Sequence, residues 1–208
     1  MADQTKPQPL PMRERILGAA LRVMAQRGVT NATTKAIARE AGVSEGSLYN
    51  HFENRTELFG AAFGAVSSGI RTAMQELFAS AGEGTVEENL ARFATTAVRF
   101  YRELLPMAGS VLGDPEVLEW LQRTGRAGGP AMGQVGLVRY LSLEQDRGRL
   151  GADAQLPFIA AGLLGACQHR AFAALLAGES APPAPGLDTD LDEYTQRVVQ
   201  TLLASQLP

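Results

Sequence analysis

The sequence predicts an all-α fold: a small head of three helices followed by a larger helical body. Three observations carry this. Apolar residues recur every three or four positions through most of the chain, and nowhere do they alternate with the period of two that a strand requires. Ser, Thr, Asp or Asn stands just before most of these stripes, where a helix N-cap belongs. The third is size. With 208 residues, 45% hydrophobic and 20% charged, the chain suits one compact domain or a head on a body, and it can bury a core without disulfides or structural metal.

Taken in order, residues 1–12, with Pro7, Pro9 and Pro11, read as a disordered tail. From about Arg13 a helix carries Ile16, Ala20, Val23 and Met24 on one face and ends at Gly28. Thr33 or Thr34 caps a second helix to about Ala41, with Ile37, Ala38 and Ala41 inward. Gly42 stops it, and Ser44 caps a third helix to about Phe52. Two short helices joined by a Gly-containing turn make the helix-turn-helix layout. Asn54 and Glu57 form a capping box that opens a long helix to about Ala81, with the stripe Phe59, Phe63, Val66, Ile70, Ala73, Leu77. Gly82 and Gly84 end it. Thr85 and Glu88 form a second capping box, for a helix to about Leu105 with Leu90, Phe93, Ala97, Phe100 and Leu104 inward.

Asp114 and Pro115 start a segment through Leu121. Residues 125–136, GRAGGPAMGQVG, read as a flexible connection that passes into a helix from about Leu137 to Arg147. Asp153 caps a helix with Phe158, Gly162, Gly165, Ala166 and Phe172 near one face. The Pro-rich residues 178–187 read as a linker, and Asp190 with Glu193 caps a last helix bearing Leu191, Tyr194, Val198 and Leu202.

Composition excludes several function classes. No run of 18 apolar residues occurs, so no membrane span is expected, and the opening MADQTKPQPLPMRER lacks the apolar stretch of a signal peptide, from which a cytoplasmic location is expected. The single Cys167 fits a reducing compartment. G-x-S-x-G, H-E-x-x-H, C-x-x-C and the phosphate-loop pattern are all missing, so no enzyme is expected, and no cofactor. Two His and one Cys make a metal site improbable, and His169, within an apolar helix, reads as a core or interface residue. The net charge of −3 hides an asymmetry: residues 1–55 carry eight Lys/Arg against five Asp/Glu, and the rest of the chain is acidic. A basic head on an acidic body suits a module that touches a polyanion with one end.

The third helix is where this becomes specific. Val43, Leu48 and Phe52 pack inward, which leaves Glu45, Gly46, Ser47, Tyr49 and Asn50 to meet a groove. Gly46 removes a side chain near the helix start at a cost in helix propensity, a choice that stability alone would not make. Ser47 and Tyr49 offer hydroxyls, and His51, Arg55 and the capped start of the second helix can hold phosphates. A plain surface helix would need none of these features to coincide. The run TTKAIAREAGVSEGSLYNHFENRTELF, residues 33–59, resembles the TetR family of bacterial transcriptional regulators. The resemblance implies a helix-turn-helix DNA-binding domain over residues 13–55 and a ligand-binding and dimerisation body over 56–208. It further implies Thr34, Tyr49, His51 and Arg55 on the DNA backbone, and Lys35, Glu45, Gly46 and Ser47 near base edges. The chain departs from the family pattern at Arg55, where Lys is usual, and at Glu45, where a neutral or basic residue is frequent.

The expected function is therefore a repressor, homodimeric on double-stranded operator DNA of palindromic sequence and released by a small apolar or amphipathic effector. The alternative is a DNA-binding regulator or activator without an effector. Phe63, Phe93, Thr96, Arg99, Phe100 and Trp120, with Thr95 nearby, are the candidate effector residues, although each aromatic singly reads as core. Dimerisation is expected through the last two helices, where Gly162, Gly165 and Ala166 allow close approach and Leu191, Val198 and Leu202 supply apolar area.

Overall fold

A computed structural model describes residues 10–112, 115–124, 129–177, 185–204 and 206–207, and among them every regular element is a helix. The chain divides into two compact units, residues 1–65 with 106–126, and residues 66–105 with 127–208.

The first unit contains α1 (Met12–Asn31), α2 (Thr34–Ala41), α3 (Glu45–Tyr49), α4 (Arg55–Val66) and α7 (Pro115–Thr124). Ile16, Ala20, Met24, Ile37, Leu48, Phe52, Leu58 and Phe59 form its core, all essentially inaccessible to solvent. α1 packs on α2, and α2 on α3. A helix of five residues has no stability of its own, so α3 exists because Leu48, within it, and Phe52, just after it, are buried. At about 1.5–3 kcal/mol for each large apolar side chain removed from water, those two residues outweigh the cost of Gly46.

The second unit is built from α5 (Ser68–Ala79), most of α6 (Val86–Leu112), α8 (Gly129–Asp146), α9 (Leu156–Ala177) and α10 (Leu191–Leu203). Leu77, Leu90, Phe93, Ala94, Ala97, Leu137, Tyr140, Leu141, Leu163, Cys167, Val199 and Leu203 share one core. By length and composition α9 could cross a bilayer, although Gln168, His169 and Arg170 interrupt its apolar run. Here it packs Ile159, Ala160, Leu163, Cys167 and Ala171 into that core.

A buried carboxylate closes one end of this unit. Glu144 is fully enclosed, and its two oxygens accept the Gly82 N–H at 3.2 and 3.3 Å. Arg149 Nη1 stands 3.3 Å from Glu144 Oε2, an attraction of charges without hydrogen-bond alignment, while Nη2 donates to the Gly84 carbonyl at 2.5 Å. Asn89 Nδ2 donates to the Ser80 and Glu83 carbonyls and to the Tyr140 hydroxyl. Burial, together with the nearby Glu144, pushes the Tyr140 phenol far above its ordinary range. The α5–α6 turn is thus held by polar groups reaching it from α6, α8 and the residues just after α8.

Most caps form as expected. The side chains of Thr33, Ser44, Asn54, Thr85 and Asp190 each accept the N–H three residues on. Glu88 returns the bond to Thr85, whereas Glu57 reaches back to the N–H of Glu53. Gly28 interrupts α1 with φ 73°.

Several expectations are corrected. α3 ends at Tyr49, short of Phe52, because the chain turns at Asn50 and His51 to drop Phe52 into the core. The long helix to Ala81 is two, α4 and α5, separated at Ser67, where ψ is −3°. Gly64, Ser67, Ser68 and Gly69 are weak helix formers bunched together. α6 runs past Leu105 through Pro106 to Leu112. A proline costs a helix one hydrogen bond without ending it, and Met107 beside it is buried.

α8 starts at Gly129, so the glycines of 129–136 are helical, while residues 125–128 of the expected connection lie outside the described residues. Their role is closeness: a Cβ on Gly136 would come within 2.9 Å of Met74 Cε, so α5 and α8 meet where that atom is missing. α9 begins at Leu156, too late for Asp153 to cap it. The expected cap Asp114, the tail to residue 9 and the linker residues 178–184 lie outside the described residues.

Candidate nucleic-acid interface

α2 and α3 are fixed at both ends by local bonds. Thr33 Oγ accepts the Ala36 N–H at 3.1 Å. At the other end Gly42 turns left-handed, φ 68°, a conformation that costs glycine little. There the N–H groups of Val43 and Gly42 return to the carbonyls of Ala38 and Arg39, a Schellman closure that ends α2 and aims the chain into α3. Ser44 Oγ accepts the Ser47 N–H at 3.1 Å and starts α3.

Arg15 Nη2, from α1, donates to the Ala41 carbonyl at 2.9 Å and braces the turn. Nothing in the sequence singled out Arg15, since a contact 26 residues away leaves no local pattern. Arg13 lies over the Phe52 ring at 4.9 Å, and the Arg22–Glu40 pair at 2.7 Å is exposed and contributes little.

On this frame Lys35, Glu45, Gly46, Tyr49, Asn50 and His51 are exposed, and Thr34 and Ser47 half-buried. The open face of α3 is therefore its polar one, as the spacing predicts. A Cβ on Gly46 would meet only Ser44 Oγ, at 3.9 Å, so the fold itself does not require glycine there. Two of the candidate residues touch: the Thr34 hydroxyl donates to Glu45 Oε1, joining the first turn of α2 to the first turn of α3. Arg55, expected on the DNA backbone, also makes contacts within the head. Its Nη2 donates to the Val29 carbonyl at 3.0 Å, and its guanidinium lies over the Phe59 ring at 4.6 Å.

The candidate effector residues of the second unit do not form one group. Phe93 and Thr96 line a hollow of about 370 Å³ within the second unit, together with Leu77, Ser80, Asn89 and Arg92. Phe100 packs against Tyr101, ring centroids 5.3 Å apart, and Arg99 is exposed. Thr95 is bonded across to Asp192 and Thr195 of α10. Phe63 belongs to the first unit, as does Trp120, whose side chain lies outside the described residues.

The candidate dimer residues do cluster. Gly162, Ala166, Val198 and Leu202 line a shallow, largely apolar groove of about 290 Å³ between α9 and α10, with Tyr194 donating to the Ala166 carbonyl at 2.9 Å. Gly165 is exposed on α9 and Leu191 is half-buried against the core. Phe158, 73% exposed, and Phe172 extend this face along α9, and His169 is exposed on it, outside the core.

Comparison with known proteins agrees with this geometry. Residues 16–62 match the model of the bacterial regulatory proteins of the tetR family. The transcriptional regulator AcrR of Shigella flexneri is 41% identical over 59 residues, 28% of this chain and 27% of that protein. The transcriptional repressor BepR of Brucella suis is 41% identical over 61 residues, 29% of each. The similarity thus spans less than a third of the length of these relatives. Among solved structures, a Mesorhizobium loti protein assigned to the TetR family of transcriptional regulators superposes with a TM-score of 0.73 at 18% identity, covering 95% of this chain and 97% of that one. SmeT, the repressor of a multidrug efflux pump of Stenotrophomonas maltophilia, superposes with a TM-score of 0.65 at 21% identity, covering 97% and 92%. Residues 16–62 therefore match the TetR family of bacterial regulatory proteins, and the chain as a whole has the fold of solved structures such as the Mesorhizobium loti protein.

Proposed function

We propose that this chain is a DNA-binding transcriptional repressor, homodimeric on a palindromic operator and released from it by a small effector. The exposed polar face of α3 carries the reading, above all Gly46, where the fold leaves room for a side chain that the sequence omits. A bare backbone near the start of a helix can approach a major groove closely, and Ser47, Tyr49, His51 and Lys35 surround it with donors. Two such helices, about 34–36 Å apart, would read successive turns of one duplex face.

The α9–α10 face supports the dimer. A standard interface buries about 1,600 Å² in total, and the groove at Gly162, Ala166, Val198 and Leu202 with the exposed Phe158 and Phe172 offers apolar area for it. The hollow beside Phe93, Thr96 and Arg92, lined by both apolar and polar side chains, suits an amphipathic effector. An effector that prefers a DNA-incompetent dimer would empty the operator by population shift. The relatives named as repressors support that sign of regulation. The same kinship supports a non-enzymatic role in the cytoplasm.

The second reading, a regulator or activator without an effector, is favoured by Phe100, which packs into the core, and by Arg99, which faces solvent. Selection from a random duplex library with the purified chain, beside sedimentation of the free protein, tests the proposal. A two-fold symmetric enriched site and a sedimenting dimer are expected. No enriched sequence overturns operator recognition. Selected DNA that no apolar or amphipathic compound releases favours the second reading.

A further inference from the structure

We propose that Glu45 is an internal stand-in for a DNA phosphate: its carboxylate holds the Thr34 hydroxyl in the free protein and must surrender it when backbone is bound. This rests on the DNA-binding reading above.

A single proton is at stake. A carboxylate only accepts, so in the Thr34–Glu45 contact Thr34 is the donor. A threonine hydroxyl has a single hydrogen. While Glu45 takes it, Thr34 has nothing to donate to a phosphate oxygen. The place is one that an anion favours. Thr34 is the first residue of α2, directly after the cap Thr33, and Glu45 is the first residue of α3, directly after the cap Ser44. The carboxylate of Glu45 is therefore bonded to the first residue of α2, at the helix end where partial positive charge gathers. A phosphate arriving there meets the same field and the same donor, with Glu45 already in possession.

The exchange needs no rearrangement of the core. Glu45 is exposed, and Leu48 and Phe52, which seat α3, are untouched by its rotation. Its consequence falls on every DNA sequence alike, because phosphates carry no base information. Once displaced toward a major groove, a carboxylate has one good base partner, the cytosine N4 amino group. A site that offers it regains part of what the displacement loses, and every other site does not. Glu45 is thus a specificity-determining residue that works by weakening wrong sites.

The experiment is a double-mutant cycle on duplex binding with the full chain: wild type, Glu45→Ala, Thr34→Val and the double variant, each measured on a random-sequence duplex and on a selected site at one salt concentration. Glu45→Ala should tighten random-duplex binding, through the freed hydroxyl and through lost repulsion. Only the first part depends on Thr34. The gain from Glu45→Ala should therefore be about tenfold smaller per head with Val at position 34 than with Thr. Thr34→Ser, which keeps the hydroxyl, should restore the coupling, and it guards against a Thr34→Val protein that folds poorly. An equal gain in both backgrounds means simple charge repulsion and overturns the proposal. A preference profile that changes while random-duplex affinity does not means base reading alone and overturns it too. Failure of the wild type to bind any duplex at low salt overturns the DNA-binding reading itself.

Discussion

Replacing Arg55 by Ala removes, among its contacts, one that ties the start of α4 to the end of α1 and one that lies within α4. One is the hydrogen bond from Nη2 to the Val29 carbonyl, 3.0 Å long, and the other the stacking of the guanidinium on Phe59 at 4.6 Å. A charged donor on a carbonyl contributes about 1.5–3 kcal/mol, and a cation over an aromatic face about 0.5–1 kcal/mol where solvent reaches it. Arg55 is half-buried, so the low ends apply, and the expected loss is about 2 kcal/mol. Arg55→Lys, which keeps the charge without the planar fork, should lose about half of that.

The measurement is urea unfolding followed by circular dichroism. The same proteins are then titrated with duplex DNA at several salt concentrations. The resemblance to the family implies a phosphate contact instead, whose removal takes about one unit from the salt slope for each head, two for a dimer. The contacts seen here predict a destabilised head with a slope nearly unchanged once folding is accounted for. Undiminished stability with a slope reduced by about two would refute the reasoning and return Arg55 to the phosphate.

Glu144→Ala should cost about 3 kcal/mol, the low end for breaking a buried pair, because Arg149 keeps the Gly84 carbonyl and some solvent; Glu144→Gln should cost less, and equal losses in urea titrations would count against a role for the charge. Leu202→Asp places a carboxylate in the apolar α9–α10 groove and should give monomers in sedimentation, so an intact dimer would move the interface elsewhere. Burial pushes the Cys167 thiol up to about 12. The unfolded chain then loses this proton at lower pH than the folded one, and stability should fall as pH rises from about 9 toward 12, by at most about 1.4 kcal/mol per unit from this group. Cys167→Ala should flatten that decline in urea midpoints taken between pH 8 and 10.5.

What could be read from the sequence was what neighbours in the chain decide. Thr33, Ser44, Thr85 and Asp190 cap helices because a short oxygen-bearing side chain reaches the N–H three residues on whatever surrounds it. The outward face of α3 followed in the same way from helical spacing alone. Distant partners left no such mark. Gly136 looks like a breaker until Met74 fills the space beside it. Arg55 looks like a free cation until the Val29 carbonyl is found 26 positions earlier. The bond between Thr34 and Glu45 joins two residues that the sequence assigns separately to DNA backbone and base edges, and only the angle set by the Gly42 turn brings them together.

The approach to α10 bears on how this chain can tolerate change. Arg170, on α9, lies over the Tyr194 ring at 5.3 Å and donates to the carbonyls of Leu187 and Thr189, the latter at 2.7 Å. The start of α10 is therefore anchored by α9 directly. Lengthening a connection whose ends are independently tethered costs only the slow logarithm of loop closure, about 0.6 kcal/mol per doubling. The Arg170 clasp is thus what would hold the start of α10 against α9 if chain were added ahead of Leu187.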